Sequence, residues 1–221
     1  MATRAAPKPI SNSQAEKDWY LAATANEKAE RAKFLVETRN LELDGRALRR
    51  AADVFDSRTI VFGSEVDEFN VDSAIDQLRD FRATGFGDIT IVLNSPGGDV
   101  FDGLLLFDTV QALRNDGIKV TTVVRGLAAS MGSILSQAGD KRVISRNSWL
   151  MIHEPSTIVW GKMGDIKREA DMMVKMHKQL SAVLAERSHL TTADIIRKSK
   201  DKDWWMPADE AHAHGFFDEV V

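Results

Sequence analysis

The sequence predicts an α/β fold built on a mainly parallel β-sheet, and three observations predict it. Short apolar runs, the length of buried strands, recur at Thr59–Phe62, Asp88–Leu93 and Ile118–Val124. Between the first two, Val71, Ala74, Ile75, Leu78 and Phe81 recur at steps of three and four, the stripe of an amphipathic helix, and Leu104–Leu113 follows the second. Strands separated by single helices need crossover connections, which lay neighbouring strands parallel.

In chain order, Gly63 closes the first strand, and Gly85 and Gly87 end the helix that follows. Asp88–Leu93 leads into the turn Asn94-Ser95-Pro96-Gly97-Gly98-Asp99. The next helix stops before Gly117, and the strand from Ile118 gives way to a small-residue helix from about Ser130. Strands are expected at Arg142–Ser145 and Trp149–His153. Gly164–Arg187 reads as a long charged helix with Ile166, Ala170, Met173, Val174, Leu180 and Leu184 as its apolar face. Thr191-x-x-Asp194 has the form of a capping box. Pro207 and Gly215 bound a short helix, and Phe216–Val221 predicts a final strand.

Ahead of Arg58 the chain carries no chemical motif. Residues 1–15 read as a flexible tail with Pro7 and Pro9, Asp18–Asn40 as helical, and Gly45 as a break in Leu41–Phe55. The expected organisation is an N-terminal extension, 1–57, partly helical and partly disordered and used for packing or assembly, followed by one catalytic domain, 58–221.

Composition narrows the function. The 221 residues include 29 Lys+Arg and 33 Asp+Glu, a net charge of −4, and no cysteine. A chain of this length can bury about 70% of its unfolded surface and needs no covalent staple. Without cysteine there is no disulfide framework, thiolate zinc site or cysteine nucleophile. Mild acidity argues against sequence-independent nucleic-acid binding, which needs a basic face. No apolar run approaches the roughly 18 residues of a membrane span, and the first thirty residues lack the apolar core of a secretory signal. Met1–Ala15 carries no acid but reads as a tail rather than a transit peptide, so the expected location is cytoplasmic.

Three segments place a reactive group beside backbone that only small residues permit. In Gly126-Leu127-Ala128-Ala129-Ser130-Met131-Gly132-Ser133, Ser130 lies between a strand and a helix start. Its hydroxyl could project from the bend, with the Met131 N–H beside it at the positive end of a helix. A small-residue helix packed on a sheet fits the same pattern. In the second segment, paired glycines admit positive φ and close approach to backbone, which makes the Gly98 N–H a candidate oxyanion donor; a plain turn is the alternative. The segment is a poor phosphate loop. In the third, His153 ends a buried strand before Pro155, where it could be a serine's general base or simply a rim residue. It lacks the second histidine of a His-Glu-x-x-His metal site, His212 and His214 face different ways, and His177 and His189 read as solvated. A Ser–His pair needs an orienting carboxylate. Asp203 is favoured, ahead of Trp204-Trp205, whose bulk could exclude water; Asp201 and Glu154 compete.

Pro-Gly-Gly, Ala-Ala-Ser-Met-Gly, Met-Ile-His-x-Pro, and an Asp before a Pro-Ala-x-Glu-Ala helix ending in Gly occur here in that order. From about Arg58 to Val221 this string resembles the ClpP family, the proteolytic subunits of Clp serine proteases. The resemblance implies a crotonase-like (ClpP-type) α/β fold with repeated ββα/βαβ units and a protruding handle helix, the handle spanning about 156–200. It implies Ser130 as nucleophile, His153 as general base, Asp203 as orienting acid, and Gly98 and Met131 N–H groups as oxyanion donors. Lys202 falls where the family usually has an Arg that helps link two rings. The implied activity is a serine endopeptidase that hydrolyses polypeptides through an acyl-enzyme. It would work as a homo-oligomer, a heptameric ring or double ring, fed by an AAA+ unfoldase, with no cofactor, metal or nucleotide in the subunit. The long N-terminal extension, the short Asp140-Lys141-Arg142-Val143 connection and the stop at Val221 depart from the family pattern. They suit a phage-encoded head maturation relative acting in host cytoplasm. A crotonase-type acyl-CoA hydratase or thioesterase, or a non-catalytic ring subunit, are the alternatives.

Overall fold

A seven-stranded sheet organises the residues that the structure, a computed structural model, describes: 58–85 and 87–221. The expectations for residues 1–57 lie outside the described residues. The strands are β1 (Thr59–Phe62), β2 (Ile89–Ser95), β3 (Val120–Ala129), β4 (Lys141–Ile144), β5 (Trp149–Ile152), β6 (Trp204–Pro207) and β7 (Glu219–Val220). The main path runs β1-β2-β3-β4-β7, and all of its pairings are parallel. β5 joins β3 in parallel, and β6 pairs β5 antiparallel. The sheet is therefore mainly parallel, as the alternation of strands and helices requires.

The crossover helices form where the stripes predict them. In α1 (Glu68–Ala83) Val71, Ala74, Ile75, Leu78 and Phe81 are all buried, and the Asp67 carboxylate accepts from Asn70 N at 2.8 Å to cap the start. α2 (Val100–Asn115) starts at Asp99, whose side chain accepts from the N–H groups of Phe101 and Asp102. Both helices pack on one core with Ile60, Phe62, Ile89, Leu93 and Val124. α3 (Met131–Leu135) is short and wholly buried.

The last third departs from the sequence reading at several points, among them β6, a strand the sequence reading does not assign. Only Ser181 and Leu184 are buried in α4 (Met163–Glu186), and half of its predicted apolar face, Ile166, Ala170 and Val174, is exposed. Phe216 and Phe217 are core residues in a connection, and the final strand is only Glu219–Val220, because this apolar pair fills space behind the sheet rather than extending it. α5 (Thr192–Ser199) does begin with the reciprocal Thr191–Asp194 capping box, and α6 (Ala208–Ala213) ends just before Gly215, φ 82°. Among the described residues no helix is long and apolar enough to cross a membrane.

The end of the chain is tied to β4 by a buried cation. Arg142 is 4% exposed at its side chain and meets Asp218 at 2.5 Å, with further bonds to Gln137 Oε1 and Gly215 O. Burial alone would raise the Asp218 carboxyl, but hydrogen bonds from the Arg142 guanidinium and backbone N–H hold it below its ordinary value. A depressed carboxyl contributes stability that is present above the ordinary carboxylate range and lost as pH falls through its folded pKa. Asp218→Asn is therefore expected to lower Tm near neutral pH and to flatten its decline in acid. An equal loss of Tm at about pH 7 and about pH 3 would show that the carboxylate charge is not the source.

Candidate active site

Strand register assembles the site. Along the edge away from β2, β3 is paired twice, through Thr121–Val124 with Lys141–Ile144 of β4, and through Leu127–Ala129 with Trp149–Met151 of β5. The switch comes at Gly126, φ 97°, where a Cβ would lie 2.6 Å from Asn94 Oδ1. Asn94 Oδ1 accepts from Leu127 N at 3.1 Å, and Ser148 Oγ accepts from Gly126 N at 2.8 Å, so the kink is pinned from β2 and from the residue just before β5. Ser130 follows β3 directly and donates its N–H to Met151 O at 2.9 Å. Across the β5–β6 pair Ile152 stands opposite Trp204, so the residues just beyond, His153 and Asp203, come face to face.

Ser130 adopts φ 53°, ψ −122°. Such a backbone costs about 1–3 kcal/mol in a residue with a Cβ and persists only where the surroundings over-determine it. Here its carbonyl accepts from Ser133 N at 3.0 Å and Ser133 Oγ at 2.6 Å, while its N–H is held by β5. The hydroxyl is then 2.7 Å from His153 Nε2, to which it donates when that nitrogen carries no proton. On the far side His153 Nδ1 is 3.8 Å from Asp203 Oδ1, longer than a hydrogen bond, and the Asp203 side chain is 57% exposed.

Two backbone amides lie beside Ser130. Met131 N–H is the first of α3 and so has no intrahelical acceptor. Gly98 forms a parallel bridge with Val66 that uses Gly97 O and Asp99 N, not the Gly98 N–H between them. A Cβ on Gly98, φ 147°, would meet Val66 O at 2.2 Å, and one on Gly97, φ 97°, would meet Ser130 Cβ at 2.5 Å and Met131 N at 2.9 Å. Gly97 is the site residue that sequence reasoning missed. Its neighbour was singled out, but the need for hydrogen directly under Ser130 is a contact between distant segments.

The competing acids are engaged elsewhere. Glu154 lies 3.8 Å from His177 Nδ1 and accepts weakly from Asp201 N at 3.4 Å, and Asp201 is an exposed turn residue at φ 56°. The sequence reading of His177 as solvated is corrected by the structure. The residue is 14% exposed at the side chain because α4 settles onto the core near Ser181 and Leu184. Burial lowers its pKa, against the pull of Glu154 and with the repulsion of His153. His189 is exposed, as expected. The tryptophans do not shield Asp203: strand alternation turns Trp204 inward, against the rings of His214 and Phe216, and leaves Trp205 46% exposed.

A small recess opens beside Ser130 and His153, with Val100, Ile134, Ile152, Leu180 and Leu184 on its walls and His177 at its side. A second cleft runs past Gly98 and Phe101 along Met172, Met173 and Met176 of α4.

A family model described as Clp protease matches residues 43–221. The chain belongs to the Clp protease family. The match begins ahead of the boundary at 58 expected from the sequence. It is 38% identical over 167 residues to the "ATP-dependent Clp protease proteolytic subunit" of Bacteroides thetaiotaomicron, covering 74% of each chain. It is also 38% identical over 172 residues to the "ATP-dependent Clp protease proteolytic subunit 3" of Rhodococcus jostii, covering 76% of this chain and 83% of that one. The corresponding subunit 3 of Streptomyces coelicolor is 34% identical over 176 residues. Membership makes the chain a Clp-type peptidase with the ClpP-type α/β fold, and nothing in these comparisons favours an acyl-CoA enzyme.

Gly97→Ala is expected to displace Ser130 and lower kcat by about 10²-fold, because misplacement of reacting atoms by about 1 Å costs that much. Full activity in an assembled Gly97→Ala variant would show that the Gly97–Ser130 contact does not set the nucleophile.

Proposed function

We propose that this chain is a serine endopeptidase in which Ser130 is the nucleophile, His153 the general base and Asp203 the orienting acid. The observation that carries this reading is the 2.7 Å approach of His153 Nε2 to Ser130 Oγ, made by a serine in a strained bend. Ser130 Oγ attacks the peptide carbonyl while His153 takes its proton, and the tetrahedral oxyanion is bound by the N–H groups of Gly98 and Met131. His153 then protonates the leaving amine, and water, activated by the same imidazole, releases the acyl-enzyme. The 3.8 Å arm to Asp203 closes by about 1 Å as imidazolium forms, since catalytic hydrogen bonds tighten in the substrate complex.

The apolar recess beside Ser130 suits an apolar side chain on the residue before the cleaved bond, and the methionine-lined cleft suits extended polypeptide. The exposed stripe of α4, with Met163 84% and Val174 70% exposed, supports its use as a handle between copies of this chain. On this reading residues 58–221 form the peptidase domain and 1–57 an extension. The domains assemble as heptameric rings, single or double. The relatives' description as ATP-dependent supports delivery of substrate by an AAA+ unfoldase.

Ser130→Ala is expected to abolish peptide hydrolysis and labelling by a fluorophosphonate, and Asp203→Asn to lower kcat by up to about 10⁴-fold. Labelling of another serine, or hydrolysis by Ser130→Ala at the full rate, would refute the assignment. Short peptides with Leu or Met before the scissile bond should be cut at least about tenfold faster than those with Asp or Lys, which would bury an unpaired charge. The reverse order would mean that the recess does not hold that side chain.

A further inference from the structure

Asp203 poses a geometric problem that the triad does not itself solve. Its carboxylate is 57% exposed and 3.8 Å from His153, so neither packing nor a short bond fixes its direction. Its aim must come from the backbone that carries it. That backbone is the turn between α5 and β6, where Asp201 sits at φ 56° and Lys202 N reaches Ser199 O at 3.5 Å.

A closed set of contacts holds this turn. Glu154, the residue after the general base, accepts from the Asp201 N–H through Oε2 at 3.4 Å, and its Oε1 lies 3.8 Å from His177 Nδ1. His177 Nε2 is 3.4 Å from Ser199 Oγ, and Ser199, fully buried, anchors itself by donating to Ile195 O at 2.9 Å. The set thus joins the end of β5, the middle of α4, the end of α5 and the turn. Glu154, which adjoins His153, and Asp201, two residues before Asp203, both belong to it. A carboxylate bonded to the backbone two residues upstream of the aimed acid is well placed to set that aim, and Glu154 has no step of its own in the reaction.

We infer that Glu154 is a positioning residue: through the Asp201 N–H and His177 it fixes the turn that aims Asp203 at His153, and it acts on the reaction only through Asp203. The inference rests on the proposed triad. It excludes a direct effect of the Glu154 charge on His153, which would survive the loss of Asp203. It also excludes a role in substrate binding, which would appear in KM.

The test is a double-mutant cycle on the full-length chain, with a fluorogenic peptide carrying an apolar residue before the scissile bond. Glu154→Ala is expected to lower kcat by about 10–100-fold, the cost of a misaimed group, with KM within about twofold of the parent. Glu154→Gln, which keeps an acceptor for the Asp201 N–H, recovers most of that loss. In an Asp203→Asn background Glu154→Ala costs nothing further, because the residue through which it acts is already disabled. Should Glu154→Ala fail to assemble, Glu154→Asp carries the same cycle, since it keeps the charge but withdraws the carboxylate by one methylene. Losses that multiply, an unchanged kcat in Glu154→Ala, or Glu154→Gln as slow as Glu154→Ala would each overturn the inference and leave the triad standing. An Asp203→Asn variant with undiminished kcat would instead refute the triad, and this inference with it.

Discussion

The double pairing of β3 is the constraint on which the rest of the structure depends. A strand that kept one neighbour along its whole length would carry Ser130 to the end of β4, far in register from the histidine. By breaking at Gly126 and re-pairing with β5, β3 delivers Ser130 beside Ile152 and His153. The antiparallel β5–β6 pair then brings Asp203 to the same edge. Because side chains alternate across a strand, slipping either pairing by one residue would turn its contribution to the opposite face. Asn94 and Ser148 are consequently as important to the geometry as the reactive groups, since they hold the kink that sets the register.

That geometry stores local strain, which close packing sustains. Ser130 has a backbone conformation that a residue with a Cβ avoids, and Gly97 and Gly98 occupy conformations and spaces closed to any other residue. The three lie against each other and against Val66 and Met151, so no one of them can relax alone. Gly103 lets α2 approach the same place: a Cβ there would meet the Met131 side chain at 2.3 Å. Small residues around the nucleophile therefore reflect the approach of three chain segments to one point, which is also what brings two backbone amides together there.

Much of this was legible in the sequence, for identifiable reasons. Ser130, Gly98 and His153 stand at strand ends marked by glycine, proline and an apolar run, and such punctuation is local. The bulk of Trp204-Trp205 favours Asp203 in the sequence, a reason the structure does not support, and the family resemblance adds a role that spacing cannot supply, because its position depends on the register of β6. The burial of His177 was hidden for a related reason. Lys175 and Lys178 flank this histidine in the chain and give it a polar setting, while the core reaches α4 only in its C-terminal half, where Gln179–Ala185 carry no charge. Phe216 and Phe217 show the converse failure: an apolar run specifies burial, not a strand.

The same helix bears on both the active site and the proposed assembly. α4 contributes Leu180, Leu184 and His177 to the recess beside Ser130, and Met172, Met173 and Met176 to the adjoining cleft. Its remaining apolar residues, Met163, Ile166 and Val174, face solvent in the single chain. A rigid helix cannot be pinned at one end without restricting the other. In the proposed ring-to-ring contact, covering the exposed stripe would therefore hold the walls of the cleft and, through His177, the turn that carries Asp203.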